Sequence, residues 1–156
     1  MNHPIHPILV HFPIALLFTS VFFDLIAMIT KRDSFRQSGF WLLILGWISG
    51  LAATVSGFLS EDAVKKIGVP ETAIDRHETF AIATMIVFAL LLLVRLVGKF
   101  SPASRKNLVY TIGTFIGLAL LSIAGYLGGD LVYHYGAGVE PHAPAVSTLP
   151  PTPSGG

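Results

Sequence analysis

Cysteine is absent from the 156 residues. That removes disulfides, thiolate metal sites, covalently attached c-type haem and iron–sulfur clusters held by the usual thiolates. Any cofactor must use other ligands. Charge is also scarce: Asp, Glu, Lys and Arg make up 12% of the chain, where a soluble domain carries roughly a quarter. There is no long basic run, so nothing in the sequence points to nucleic acid. A Ser-His-Asp arrangement, paired carboxylates and a zinc-hydrolase motif are all lacking, and no independent catalytic activity is expected. The run Gly125-Tyr126-Leu127-Gly128-Gly129 has neither the strand-turn-helix context nor the basic residue of a phosphate loop. The first residues carry no basic stretch, and the apolar segment that follows outruns a signal-peptide core, so it reads as a retained helix.

What the sequence does have is apolar residues, 53% of the chain, with a mean hydropathy of +0.70. Long stretches have no polar face to turn toward water, so their natural solvent is lipid. Four segments, at about 8–29, 40–59, 79–97 and 108–129, are long enough to cross a hydrocarbon core of about 30 Å at 1.5 Å per residue. The predicted fold is therefore all-α, a transmembrane four-helix bundle occupying residues 1–140. The tail, 141–156, is rich in Pro, Ala, Ser, Thr and Gly, and its composition predicts disorder.

The short linkers divide the charge unevenly. Lys31, Arg32, Arg36, Arg95, Lys99, Arg105 and Lys106 fall at one end of the bundle, which the positive-inside rule makes cytoplasmic. Both termini and the segment Ser60 to Glu78 fall at the other, an N-out, C-out topology. Within that outer segment, Glu61-Asp62-Ala63-Val64-Lys65-Lys66-Ile67 has acidic residues early and basic ones late, the pattern of a short surface helix ended by Gly68. The single acid within an apolar span is Asp24, for which Arg36 and Arg95 are the candidate partners.

All six histidines, His3, His6, His11, His77, His134 and His142, map to the outer half. His11 lies about one turn into the first span and His77 at the start of the third, so both rings come to similar depth. Each hairpin thus carries a histidine where its first helix begins, although the two halves otherwise resemble each other weakly. Two neutral imidazoles from separate helices suit the axial positions of a non-covalent haem b. Three converging imidazoles suit zinc or copper, with Glu78 or Asp130 available to complete or orient the set. Without a cofactor, such a cluster suits acid sensing. The pairs Gly46 with Gly50 and Gly113 with Gly117 are spaced for close helix packing, or for room beside a flat cofactor, and leave association with a second copy open.

The run His6-Pro7-Ile8-Leu9-Val10-His11-Phe12-Pro13-Ile14-Ala15-Leu16-Leu17, followed by Asp24-Leu25, resembles the N-terminal signature of the predicted bacterial membrane proteins grouped as domain of unknown function 2231. Arg76-His77-Glu78 and the segment from Gly128 to Val139 resemble the same family, so the likeness covers about residues 3 to 140. It implies a multi-pass protein of the bacterial inner membrane. Because relatives occur alone or joined to Rieske or cytochrome-type modules, it also implies electron transfer by association, with a separate redox protein as partner at the outer face. The family's histidine motifs fall on His6, His11 and His77. Relatives often carry a histidine directly before the glycine of the last motif, where this chain has Tyr135, with His134 one residue earlier.

The leading expectation is a redox-associated membrane subunit binding haem b, with His11 and His77 as first-choice axial ligands and His6 or His134 as the substitute. The alternatives are a zinc or copper protein using the same four histidines, and a structural accessory subunit with no cofactor.

Overall fold

The computed structural model describes residues 6–98 and 108–139. The expected disordered tail, His3, His142, Lys99, Arg105 and Lys106 lie outside the described residues. The described elements are a short helix α1 (His6–Leu9) and four long ones, α2 (His11–Thr30), α3 (Asp33–Lys66), α4 (Glu71–Leu96) and α5 (Leu108–Tyr133). With α1 and α2 counted as one span, four helices are long and apolar enough to cross a membrane.

Local chemistry sets the boundaries. Pro13 has no N–H to give the Leu9 carbonyl, and the break between α1 and α2 falls one turn before it, at Val10. Lys31 adopts a left-handed φ of 56° and returns its N–H to the Ala27 carbonyl at 2.8 Å, which ends α2 and turns the chain directly into α3. α3 runs for 34 residues, about 51 Å at 1.5 Å per residue, and overshoots a hydrocarbon core at both ends. The segment 61–67, expected to form a separate surface helix, is instead the last turns of α3 up to Lys66. Ser60 needs no turn because its hydroxyl bonds back to Ser56 within the same helix. Gly68, at φ 89°, then reverses the chain, and Lys65 bridges Glu61 and Glu71 at 2.8 and 3.1 Å, tying the end of α3 to the start of α4.

The helices pack as two antiparallel hairpins, α2 on α3 and α4 on α5, which meet through α3 against α4 and α2 against α5. Leu17, Val21, Leu43, Phe88, Leu91, Tyr110 and Leu121 fill the centre. Aromatic and aliphatic side chains such as Phe22, Trp41, Ile48, Leu90 and Phe115 are more than half exposed. An apolar exterior of that kind matches a lipid surround and no aqueous one.

The buried positions of the second hairpin repeat those of the first. Asp24 and Arg95 are 71 residues apart, and the same offset takes the buried residues of α3, Gly39, Leu43, Gly46, Gly50 and Ala53, onto Tyr110, Thr114, Gly117, Leu121 and Ala124 of α5. Pro13, Leu17 and Ser20 of α2 likewise map onto Thr84, Phe88 and Leu91 of α4. Close contacts repeat with them: Gly46 receives Leu17, and Gly117 receives Phe88. The likeness between halves is therefore strong in packing where it is weak in residue type, and its register pairs His77 with His6, not with His11.

The ends of α2 and α4 at the basic side are joined by charge. Arg95 Nη1 donates to both carboxylate oxygens of Asp24 at 2.8 and 2.9 Å, and Tyr110 donates its hydroxyl to Asp24 Oδ2 at 3.1 Å. Arg95 Nη2 donates to the Arg36 carbonyl at 2.6 Å, and the guanidinium lies 5.2 Å from the centre of the Phe40 ring. Both charged side chains are 5% exposed. Of the two partners read from the sequence, Arg95 is the one that reaches the carboxylate. Gly39 makes room, since a Cβ there would sit 2.5 Å from Asp24 Oδ1.

Breaking one side of such a pair strands a buried charge, whereas replacing both sides with apolar groups does not. Arg95→Leu is expected to lower stability by about 3–5 kcal/mol, and Asp24→Leu added to it to recover most of that loss. Thermal unfolding of the three variants in detergent, read as a double-mutant cycle, measures both.

Candidate histidine site

The opposite end of the bundle holds the histidines, and the helices sort them. His6 opens α1 and His77 lies in the second turn of α4. Both are half-buried, and their ring centres lie 6.2 Å apart with the planes at 80°. His11 begins α2 on a different face and is exposed. The structure thus brings together His6 and His77, and leaves His11 outside the pair. His134 is 75% exposed and pairs with Asp130 one turn back on its own helix, flanked by the exposed Tyr133 and the partly exposed Tyr135. Among the described residues no group of three or more His, Asp or Glu side chains is placed to hold a metal ion.

The setting of each ring is built by the second helix of its own hairpin. His6 Nδ1 lies 2.9 Å from the Ala53 carbonyl and 3.0 Å from Ser56 Oγ, and His77 Nδ1 lies 3.1 Å from the Ala124 carbonyl. The two residues of each His–Ala pair are 47 apart in both hairpins. A carbonyl only accepts, so each Nδ1 carries the proton and each Nε2 is left with a lone pair. The Ser56 hydroxyl donates to the Ala53 carbonyl at 2.7 Å and can accept from the same Nδ1–H. No described residue bonds either Nε2. A backbone carbonyl that holds Nδ1–H and so fixes the tautomer is the usual support of a metal-binding imidazole.

Glycine supplies the other half of each seat. A Cβ at Gly57 would lie 3.1 Å from His6 Cε1, and one at Gly128 would lie 3.0 Å from His77 Cε1. The rings therefore rest on bare backbone. Sequence reading missed both residues as site components: it does not single out Gly57, and it weighs Gly128 only within a run that lacks the context of a phosphate loop. The signal was present in their spacing: each glycine follows its alanine by one helical turn, and each alanine follows its histidine at the same distance.

The two rings face a cavity of about 940 Å³ between α3, α4 and the end of α5. Leu51, Val55, Ile74, Ile82 and Leu131 make its wall apolar, and Glu61 and Glu78 stand at its polar side. That volume lies near the top of the range of small-molecule and cofactor pockets, about 300–1,000 Å³.

This architecture defines a multi-pass, four-helix membrane protein whose two hairpins each offer one oriented imidazole. The chain belongs to the family described as Predicted membrane protein (DUF2231), whose profile matches residues 2–141. No curated protein and no solved structure matches it.

Gly128→Ala is expected to displace the His77 ring and, by overpacking, to lower stability by about 1–2 kcal/mol after the gain in helix propensity is subtracted. Gly129→Ala, at a position with nothing within 4 Å, should be neutral or stabilising by up to about 1 kcal/mol. Detergent melting curves give the stabilities, and nitrogen-15 spectra of the histidine side chains show which ring has moved.

Proposed function

We propose that the protein is a redox-associated membrane subunit that would bind haem b through His6 and His77. The observation that carries this reading is the separation and orientation of those rings. An imidazole nitrogen sits about 2.0 Å from a bound metal, so two imidazoles sharing one metal ion would have ring centres at most about 6.3 Å apart. The observed 6.2 Å suits that arrangement. Two protein donors are too few for a four-coordinate zinc site, whereas a porphyrin brings four nitrogens of its own and asks the protein for two. The fit is also one of chemistry: a carbonyl on each Nδ1 leaves each Nε2 free of a protein partner among the described residues, and glycine lets each ring lie against the neighbouring helix.

Haem, when bound, would carry one electron. The chain's own part is to fix the imidazoles. The Ala53 and Ala124 carbonyls hold the tautomer and raise ligand basicity, and the apolar cavity wall keeps the surroundings of low dielectric constant. Glu61 and Glu78 place negative charge beside the site, which favours the oxidised, more positive state of an iron centre. The site lies at the end away from Lys31, Arg32, Arg36 and Arg95, so the positive-inside rule puts it on the outer side of a bacterial inner membrane, within reach of a separate redox protein.

Two experiments test this reading. Purified protein expressed with ample haem should give a b-type reduced-minus-oxidised spectrum, lost in His6→Ala and in His77→Ala and retained in His11→Ala and His134→Ala. Stoichiometric zinc or copper without haem would replace haem with a metal site, and neither cofactor would leave an accessory structural subunit. For topology, the natural lack of cysteine makes single cysteines unique labels. Asp62→Cys should react with an impermeant maleimide in intact cells, and Ser34→Cys only after lysis.

A further inference from the structure

The cavity beside His6 and His77 is open to lipid. Leu51, Val55 and Phe58 of α3 and Ile82 of α4 line it, yet each of the four is 40% to 57% exposed. All four lie within membrane spans, so a ligand can enter between α3 and α4 from the hydrocarbon. The polar side of the cavity is one-sided in its chemistry. The hydroxyls of Thr54, Ser56 and Ser60 donate to the Gly50, Ala53 and Ser56 carbonyls, and each imidazole gives its Nδ1 proton to a carbonyl. Among the described residues that line the cavity there is no Lys, Arg, Asn, Gln, Trp or Tyr. Its side chains therefore offer lone pairs alone: hydroxyl oxygens, the two Nε2 atoms and the carboxylates of Glu61 and Glu78. Glu61 already accepts from Lys65 at 2.8 Å. Glu78 accepts no hydrogen bond from a described residue.

We infer that this cavity takes a membrane quinol from the lipid, with Glu78 accepting one of its ring hydroxyls, and that it selects the quinol over the oxidised quinone. A wall of acceptors needs a ligand that donates. A ligand arriving through hydrocarbon is apolar over most of its surface and neutral, because a charge is costly to carry there. A quinol meets both demands: its ring bears two O–H groups, and its isoprenoid tail can stay in the opening between α3 and α4. The quinone has the same ring and tail but only carbonyl oxygens, which would set lone pairs against the Glu78 carboxylate. Hydrogen bonds to charged groups are among the stronger ones, so losing the donor should weaken binding about tenfold or more. In the haem reading the two Nε2 atoms belong to the iron, which is why the carboxylate and not an imidazole is assigned to the quinol. The demand for a donor stands without haem. The choice of a redox-active quinol among neutral donors rests on the haem reading, in which it would be the lipid-soluble source of electrons.

The test is calorimetric titration of the full-length protein in lipid nanodiscs with decylubiquinol, kept anaerobic, and with decylubiquinone, each corrected for empty nanodiscs. The unaltered protein should bind the quinol about tenfold or more tighter than the quinone. Glu78→Gln keeps the shape but adds an N–H donor, and should bring the two affinities within about threefold of each other. Val55→Trp, at a position that is 57% exposed, should obstruct the opening and weaken both. Equal affinities in the unaltered protein, a preference that survives Glu78→Gln, undiminished binding in Val55→Trp, or no binding at all would each overturn the inference. Tighter binding of dodecylamine than of the quinol would overturn it too, since the acceptors would then serve a cation. Haem content, read from the optical spectrum of the same samples, is a separate outcome. Failed quinol selection beside an intact b-type spectrum would sink this inference alone, and quinol selection by a protein that takes up no haem would sink the haem reading alone.

Discussion

The buried ion pair between Asp24 and Arg95 sets how the two hairpins face one another. A carboxylate and a guanidinium inside an apolar bundle each need the other, because neither can turn to water. Their two hydrogen bonds, with that from Tyr110, fix the depth and rotation of α2 against α4. The stretch from Asp24 back to His6 equals that from Arg95 back to His77. Matching depth at one end therefore delivers matching depth at the other, and the two rings come together as a consequence of a contact near the far end of the same helices.

Hydrocarbon imposes the same demand on the rings. An imidazole N–H without a partner is costly there, and carbonyls of a regular helix are normally occupied. The bundle answers by letting Ala53 and Ala124 each accept an additional bond, one turn before a glycine that lets the ring approach. Satisfying Nδ1 in this way has a chemical result, because it leaves each Nε2 with a lone pair and no partner among the described residues.

Composition and hydropathy made the four spans legible, because the need for lipid is written in uninterrupted apolar length. Asp24 advertised a partner for the same reason, and Arg95 was among the candidates. The histidine pair was harder to read. His11 looked the better neighbour for His77 because it lies deeper in the apolar run, but depth does not decide which face a residue occupies. The break at Val10, forced by Pro13, and the turn of the helix place His6 inward and His11 outward. The repeat was hidden for a related reason. Lipid-facing positions are free to vary among apolar residues, so resemblance between the halves survives only at buried positions. Those positions cannot be recognised until the helices are packed. The continuity of α3 through Lys66 was equally illegible, since an amphipathic pattern at a membrane boundary suits a separate surface helix and an overshooting span alike.

The near-perpendicular ring planes give the most direct test of the central proposal, that His6 and His77 would together hold one haem iron. Perpendicular imidazoles leave the two iron orbitals of π symmetry nearly equal in energy, which gives low-spin ferric haem a strongly anisotropic electron paramagnetic resonance dominated by one large g value. The measurement is the low-temperature spectrum of the oxidised, haem-loaded protein. The 80° angle between the planes predicts that signal. A rhombic three-line spectrum would contradict the observed ring orientation, and a high-spin spectrum would contradict ligation by both histidines.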